Sequence, residues 1–115
     1  MTQGPNRKEA EVKLGQSIAA AQAFDELRRI LREVLGEHGV RVYLFGSWAR
    51  GEATPISDID LAIESHVPLP PGTLARLRER LEESRVPYRV EVVELNDVDP
   101  AFRQRILKEC VLWSD

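Results

Sequence analysis

The stretch VRVYLFGSWARGEATPISDIDLAI, residues 40–63, decides the fold. Two short runs of alternating apolar and polar residues, 40–45 and 58–64, flank its middle, and alternation with a period of two predicts β-strands. The middle, residues 47–57, is rich in Gly, Ser, Thr and Pro and has no long period, so it predicts a loop, with one short helical turn near residues 48–51. The stretch therefore predicts two strands joined by a loop.

The second strand carries two carboxylates on one face. Asp58 and Asp60 stand two residues apart, so their side chains point the same way, while the apolar side chains between and after them face the other side. Two like charges this close cost stability unless a cation neutralises them. Carboxylate oxygens suit a hard ion, and Mg²⁺ prefers one or two carboxylates completed by water and phosphate oxygens. No cluster of His and Cys offers a zinc site.

The end of the first strand has the composition of a phosphate-binding turn. Gly46 lacks a side chain, so backbone N–H groups can approach a phosphate there, and the hydroxyl of Ser47 can donate to it. Arg50, one turn later, can add a charged donor. A phosphate-binding turn beside a pair of metal-binding carboxylates predicts a site for a nucleoside triphosphate and its metal ion.

Helices and one more strand extend outward from this stretch. Apolar residues recur every three or four positions over residues 17–38 and again over 74–84, which predicts two amphipathic helices. Residues 88–95 alternate and predict a third strand. Asp99 is a candidate N-cap followed by proline at the first helical position, so a last helix is expected through Glu109.

This order of elements predicts an α/β (α+β) fold, a small mixed β-sheet with helices on one face. The other sheet face, with Asp58, Asp60 and Glu91, is expected to be open to a ligand. Two aromatic residues leave alternatives open at this stage. Trp48 could stack on a base, dock a partner, or pack against the neighbouring loop, and Trp113 could pack onto the first helix or form a contact surface.

Composition limits the classes of function. With 115 residues the chain has room for one domain, expected over residues 17–115 after a flexible segment, 1–16. A net charge of -3 argues against general nucleic-acid binding. The single cysteine, Cys110, excludes an intramolecular disulfide, and no apolar run approaches the ~20 residues that cross a membrane. No secretion signal is present, so a cytoplasmic protein without membrane contact is expected.

The motif residues resemble a known superfamily. Gly46-Ser47, ten intervening residues and then Asp58-Ile59-Asp60 resemble the G-S-x10-D-x-D signature of the DNA polymerase β-like nucleotidyltransferases. Arg50 and Ser57 extend the likeness to the minimal nucleotidyltransferase (MNT) branch. The resemblance runs from Val40 to the C-terminus, and it implies that Gly46, Ser47, Arg50 and Ser57 bind the nucleotide.

The resemblance also implies a third carboxylate. Members of the superfamily carry one, usually Asp, on a later strand between apolar residues, and the matching position here is Glu91; Glu94 is the fallback, disfavoured because it shares a face with Val90 and Val92. The implied mechanism uses two Mg²⁺ ions, one held by Asp58 and Asp60 and one shared with Glu91. An acceptor hydroxyl then displaces pyrophosphate.

For the MNT branch the resemblance implies ATP as substrate and a HEPN-domain toxin as partner. The MNT protein would transfer AMP to a tyrosine of that toxin and so act as antitoxin. Two alternatives remain open: a nucleotide-binding antitoxin that acts by complex formation without catalysis, and an enzyme acting on a small molecule such as an aminoglycoside. A homodimer and a hetero-oligomer both fit, because the chain is too short to hold an acceptor-binding domain of its own.

Overall fold

A computed structural model of the chain describes residues 18–36 and 39–114. The expected flexible segment, 1–16, and the end of the expected first helix at His38 lie outside these ranges. Within them the elements run in the order α1 (Ile18–Leu35), β1 (Val40–Phe45), α2 (Gly46–Arg50), β2 (Ile59–Ser65), α3 (Thr73–Glu83), β3 (Val90–Glu94), α4 (Pro100–Glu109) and β4 (Val111–Ser114).

The first helix forms because its apolar residues make one continuous stripe. Eight side chains of α1 are buried, namely those of Ala20, Ala23, Phe24, Leu27, Ile30, Leu31, Val34 and Leu35. On the exposed side Arg29 pairs with Glu26 at 2.7 Å and with Glu33 at 2.8 Å. Glu33 also pairs with Arg80 of α3, so the two helices are joined by charge as well as by apolar contact.

Most predicted elements are confirmed, some with identical bounds. Strand β1 and helix α4 match the prediction, and Asp99 caps α4 by accepting hydrogen bonds from Ala101 N at 3.0 Å and Phe102 N at 3.4 Å. The expected short helical turn is α2. One element was missed by the sequence analysis: β4, which follows α4 directly.

The four strands form one mixed sheet in the order β3-β2-β1-β4. Strand β1 pairs antiparallel with both β2 and β4, and β2 pairs parallel with β3. The central pair therefore consists of β1 and β2, the two strands that flank α2 and the loop 51–58. This arrangement confirms the predicted fold class of an α/β protein with a small mixed sheet.

Apolar contacts cover both faces of the sheet. The larger cluster joins α1 and α3 to one face through Leu44, Leu61 and their neighbours. A smaller cluster lies on the opposite face, where Ile106 of α4 packs with Phe45 and Ala62. The expectation that this second face stays open is wrong for the part around Phe45 and Ala62, since α4 packs there. In the described part of the chain, no helix is long and apolar enough to cross a membrane.

Candidate active site

The site lies where β1 ends and β2 begins. In the antiparallel pairing of these strands, Phe45 stands opposite Asp60, so the first residue after β1, Gly46, lies beside the aspartate side chain. Asp58 comes immediately before β2. Strand pairing thus brings the glycine of the turn and both carboxylates to one edge of the central pair.

Gly46 is needed at this point for two reasons. Its φ of +77° lies in the left-handed region, which L side chains rarely adopt. A Cβ atom at this position would also overlap Oδ2 of Asp60 and lie 3.1 Å from its Cγ. The Asp60 carboxylate occupies the space that a side chain at position 46 would need, so the two motif residues depend on each other sterically.

The environment of Asp60 disfavours its negative charge. Burial raises the pKa of this carboxyl above its ordinary value of 3.8, and the nearby charges of Asp58 and Glu91 raise it further, while Arg50 acts in the opposite direction. A divalent cation between Asp58 and Asp60 would offset this repulsion. The donor set therefore fits a hard metal ion with carboxylate ligands.

A cavity of about 400 Å³ opens around these residues. Six of the seven predicted site residues line it: Gly46, Ser47, Arg50, Ser57, Asp58 and Asp60. Ser57 also shapes the loop, because its Oγ accepts a hydrogen bond from Thr54 N at 2.8 Å.

Glu91 is the predicted site residue that the structure keeps apart. In the parallel pairing of β2 and β3 it stands beside Asp60, which puts both side chains on the same face. Its carboxylate, however, pairs with Arg89 Nη2 at 2.8 Å, and Glu91 is not among the residues that line the cavity. Within residues 18–36 and 39–114 no three His, Cys, Asp or Glu side chains gather closely enough to hold a metal ion. The role of Glu91 as a third ligand stays a prediction.

Trp48 packs inside the protein. It is buried, its ring meets Phe24 edge to face at 5.3 Å and Tyr88 at 5.1 Å, and its Nε1 donates to Ser57 O at 3.4 Å. Of the alternatives left open for this residue, packing against the neighbouring loop is the one found. Its contact with Ser57 ties α2 to the turn before Asp58.

Helix α4 supplies one wall of the cavity, and none of the residues of this wall is among the predicted site residues. Phe102, Arg105, Ile106 and Glu109 line it. Their spacing of three, one and three residues identifies a single helical face, and that was the available signal. A helical face does not reveal which element it meets, and here it meets α2, whose first residue, Gly46, lies 63 residues before Glu109.

Glu109 makes the most specific contact of this wall. Its Oε2 accepts a hydrogen bond from Gly46 N at 2.7 Å and lies 3.1 Å from Arg50 Nη1. Arg50 in turn donates from Nε to Glu52 Oε1 at 2.9 Å. The backbone N–H and the guanidinium predicted to bind phosphate are thus shown to bind an anionic group, a carboxylate of the chain itself.

Comparison with known sequences identifies relatives over most of the chain. A family model, the nucleotidyltransferase domain, matches residues 24–113. A candidate protein adenylyltransferase of Methanocaldococcus jannaschii, MJ0435, is 38% identical over 89 residues, which cover 76% of this chain and 95% of that protein. The candidate protein adenylyltransferase MntA of Haemophilus influenzae is 35% identical over 86 residues, which cover 75% of this chain and 74% of that protein.

Comparison with solved structures gives the same assignment. A candidate minimal nucleotidyltransferase matches with a TM-score of 0.61 and 31% identity, over 77% of this chain and 90% of that one. A complex of an AMPylated Shewanella oneidensis HEPN toxin with its MNT antitoxin contains a chain of the same fold, with a TM-score of 0.59 and 20% identity, over 80% of this chain and 69% of that one. The chain belongs to the nucleotidyltransferase domain family, in its minimal branch, and is a transferase enzyme.

Proposed function

We propose that this nucleotidyltransferase, with Mg²⁺, transfers AMP from ATP to a hydroxyl group, a tyrosine of a HEPN-domain toxin, and thereby acts as its antitoxin. The observation that carries the proposal is that one cavity is lined by Asp58 and Asp60 together with Gly46, Ser47 and Arg50. A metal-binding carboxylate pair and phosphate donors within one cavity are what nucleotidyl transfer requires. A reaction that uses ATP and a HEPN-domain toxin would take place in the cytoplasm.

Five residues that line the cavity have distinct roles in the proposed reaction. Gly46 N, the Ser47 hydroxyl and the Arg50 guanidinium would hold the phosphates, and Asp58 and Asp60 would hold Mg²⁺. The metal would neutralise the triphosphate and lower the pKa of the acceptor hydroxyl. The hydroxyl oxygen attacks the α-phosphorus, the bond from this phosphorus to the bridging oxygen breaks, and pyrophosphate leaves. The hydroxyl proton passes to a carboxylate oxygen, for which Glu91 is the candidate.

The nature of the acceptor rests on the relatives. Two relatives above 30% identity are candidate protein adenylyltransferases, which supports a protein as acceptor. The same fold is found beside an AMPylated HEPN toxin, which supports that class of partner. The cavity is partly open to solvent and has a volume of about 400 Å³, so an acceptor side chain from a second protein can approach the carboxylates.

Intact-mass spectrometry of the HEPN partner tests the proposal. After incubation with this protein, ATP and Mg²⁺, the partner should gain the mass of one or more AMP groups. We expect Asp58→Ala and Asp60→Ala each to slow the transfer on the order of 10³-fold, because each removes charge stabilisation that the reaction needs. Asp25→Asn removes an exposed carboxylate of α1, 82% accessible, and should leave the rate unchanged. An AMP gain that persists at the wild-type rate in both cavity variants would refute the assignment of the site.

A second function is favoured by one observation. Glu91 is engaged by Arg89 and does not line the cavity, as expected if the chemistry has been lost and the protein acts by binding alone. In that case the HEPN partner would form a stable complex with this chain and gain no mass. The same spectra, recorded beside a gel-filtration run of the mixture, distinguish the two functions.

A further inference from the structure

Two of the three donors assigned to phosphate, Gly46 N and the Arg50 guanidinium, are already occupied by the side chain of Glu109. Gly46 N donates to Oε2 at 2.7 Å, and Arg50 Nη1 lies 3.1 Å from Oε2 and 3.3 Å from Oε1. A backbone N–H has a single hydrogen to donate, so it cannot make a full hydrogen bond to this carboxylate and to a phosphate oxygen at the same time. Carboxylate and phosphate are therefore alternative occupants of one position.

Electrostatic repulsion also disfavours the presence of the Glu109 carboxylate and a phosphate in the cavity at the same time. Glu109 adds its negative charge to the same cavity that contains Asp58 and Asp60. A triphosphate entering beside all three carboxylates would meet repulsion that Mg²⁺ between the aspartates would only partly offset. Moving the Glu109 carboxylate out of the cavity would remove both the repulsion and the competition for the donors.

The position of Glu109 allows this movement. It is the last residue of α4, and its side chain is 30% exposed, so a change of rotamer can carry the carboxylate into solvent without unfolding the helix. Its partner Arg50 is 44% exposed and keeps a second carboxylate, that of Glu52, when Glu109 leaves. An ion pair this exposed is weak, so a triphosphate can displace it.

We propose that Glu109 is an internal competitor of the nucleotide: its carboxylate occupies the phosphate position in the nucleotide-free protein, and a nucleoside triphosphate binds only after displacing it. Glu109 thereby sets the affinity for nucleotide. This inference rests on the proposed function, because it takes Gly46 and Arg50 to be the donors for phosphate.

Titration calorimetry with two probes, ATP with Mg²⁺ and inorganic triphosphate, tests the inference. We expect Glu109→Gln, which keeps the size of the side chain and removes its charge, to bind both probes about tenfold more tightly than the wild type, the equivalent of one displaced charge-assisted hydrogen bond. Glu109→Ala should bind at least as tightly as Glu109→Gln. A thermal unfolding curve for each variant verifies that it is folded.

Glu52→Gln is the matched control. It removes the other carboxylate on Arg50 but has no contact with Gly46 N, so its affinity for both probes should differ from wild type by less than about threefold. An equal gain in Glu52→Gln and Glu109→Gln would overturn the inference, because general charge around Arg50 would then explain it.

The remaining outcomes separate this inference from the proposed function. Equal or weaker binding of both probes by Glu109→Gln, with normal binding by the wild type, overturns the inference and leaves the proposed function standing. Tighter binding by Glu109→Gln without AMP transfer to a HEPN partner by any form of the protein upholds the inference and refutes the enzymatic function. Absence of nucleotide and triphosphate binding in every form refutes both.

Discussion

Asp60 is the residue of the candidate site at which the electrostatic cost to folding stability is concentrated. Burial, Asp58, Glu91 and Glu109 all raise the pKa of its carboxyl, so the folded protein holds a proton there more tightly than the unfolded chain does. The penalty for ionising Asp60 is therefore absent below the ordinary pKa of 3.8 and complete above the raised pKa of the folded state. In buffer with a chelator, we expect Asp60→Asn to be more stable than the wild type at pH 7.

Urea unfolding at pH 4 and pH 7 checks this prediction. The stability difference between Asp60→Asn and the wild type should increase as the pH rises through the raised pKa, because only the wild type ionises at this position. Asp25→Asn, at an exposed position of α1, should show no such increase. A wild type that is more stable than Asp60→Asn at pH 7 without metal would contradict the account of the site.

The sequence predicts the local part of the site and misses the distant part. Gly46, Ser47, Asp58 and Asp60 are recognisable because they lie within fifteen residues of one another, and a strand, a turn and a strand fix their relative positions. Glu109 enters the cavity from another element, and its contact with Gly46 spans 63 residues. Only the packing of α4 against the sheet creates that contact, and packing partners are not encoded in helical periodicity.

At the scale of elements, β4 is the clearest case of structure made by long-range contact. Its four residues are too few to show an alternation, and they become a strand because they pair with β1. Helix α4, by contrast, was predicted with its bounds because Asp99 and Pro100 mark its start locally. Trp113 of β4 packs onto α1, one of the two alternatives left open: it is 1% exposed, lies 5.1 Å from the Phe24 ring, and has Arg28 over its face at 4.6 Å.

We therefore expect Trp113→Ala to destabilise the protein by about 3–5 kcal/mol, the usual cost of removing a large buried aromatic side chain. Leu112→Ala, one residue earlier on the same strand at a position 41% exposed, should cost less than about 1 kcal/mol. Urea unfolding followed by circular dichroism measures both values. Similar losses for the two variants would mean that β4 contributes through its backbone pairing and not through the tryptophan.

At the scale of the whole molecule, the same carboxylates that lower the stability of the folded protein are expected to make this stability depend on bound ligands. Any ligand that binds the folded state alone stabilises it by mass action, by about 2.7 kcal/mol when its concentration is a hundred times Kd. We expect ATP with Mg²⁺ to raise Tm, and a chelator to abolish most of this rise. A double variant, Asp58→Ala with Asp60→Ala, should start from an equal or higher Tm and gain little from the same addition.

The fold class was predictable at this scale, whereas the two-sided covering of the sheet was not. Amphipathic patterns predict that α1 and α3 each bury one side, and Asp99 with Pro100 predicts α4. A sheet with helices then follows from the order of these elements along the chain. These patterns do not show which sheet face each helix covers. Helix α4 packs through Ile106 onto the face that carries Asp60. It therefore forms one wall of the cavity, beside residues 45–50 and 57–60.

The burial of Trp48 has a spectroscopic consequence. The chain contains two tryptophans, and both meet the same ring, Phe24, edge to face. Only Trp48 belongs to the short helix that begins at Gly46. Its indole N–H donates to the carbonyl oxygen of Ser57, the residue directly before Asp58. In a Trp113→Phe background the tryptophan fluorescence would come from α2 alone, so the protein carries an intrinsic optical reporter of movement at the candidate site.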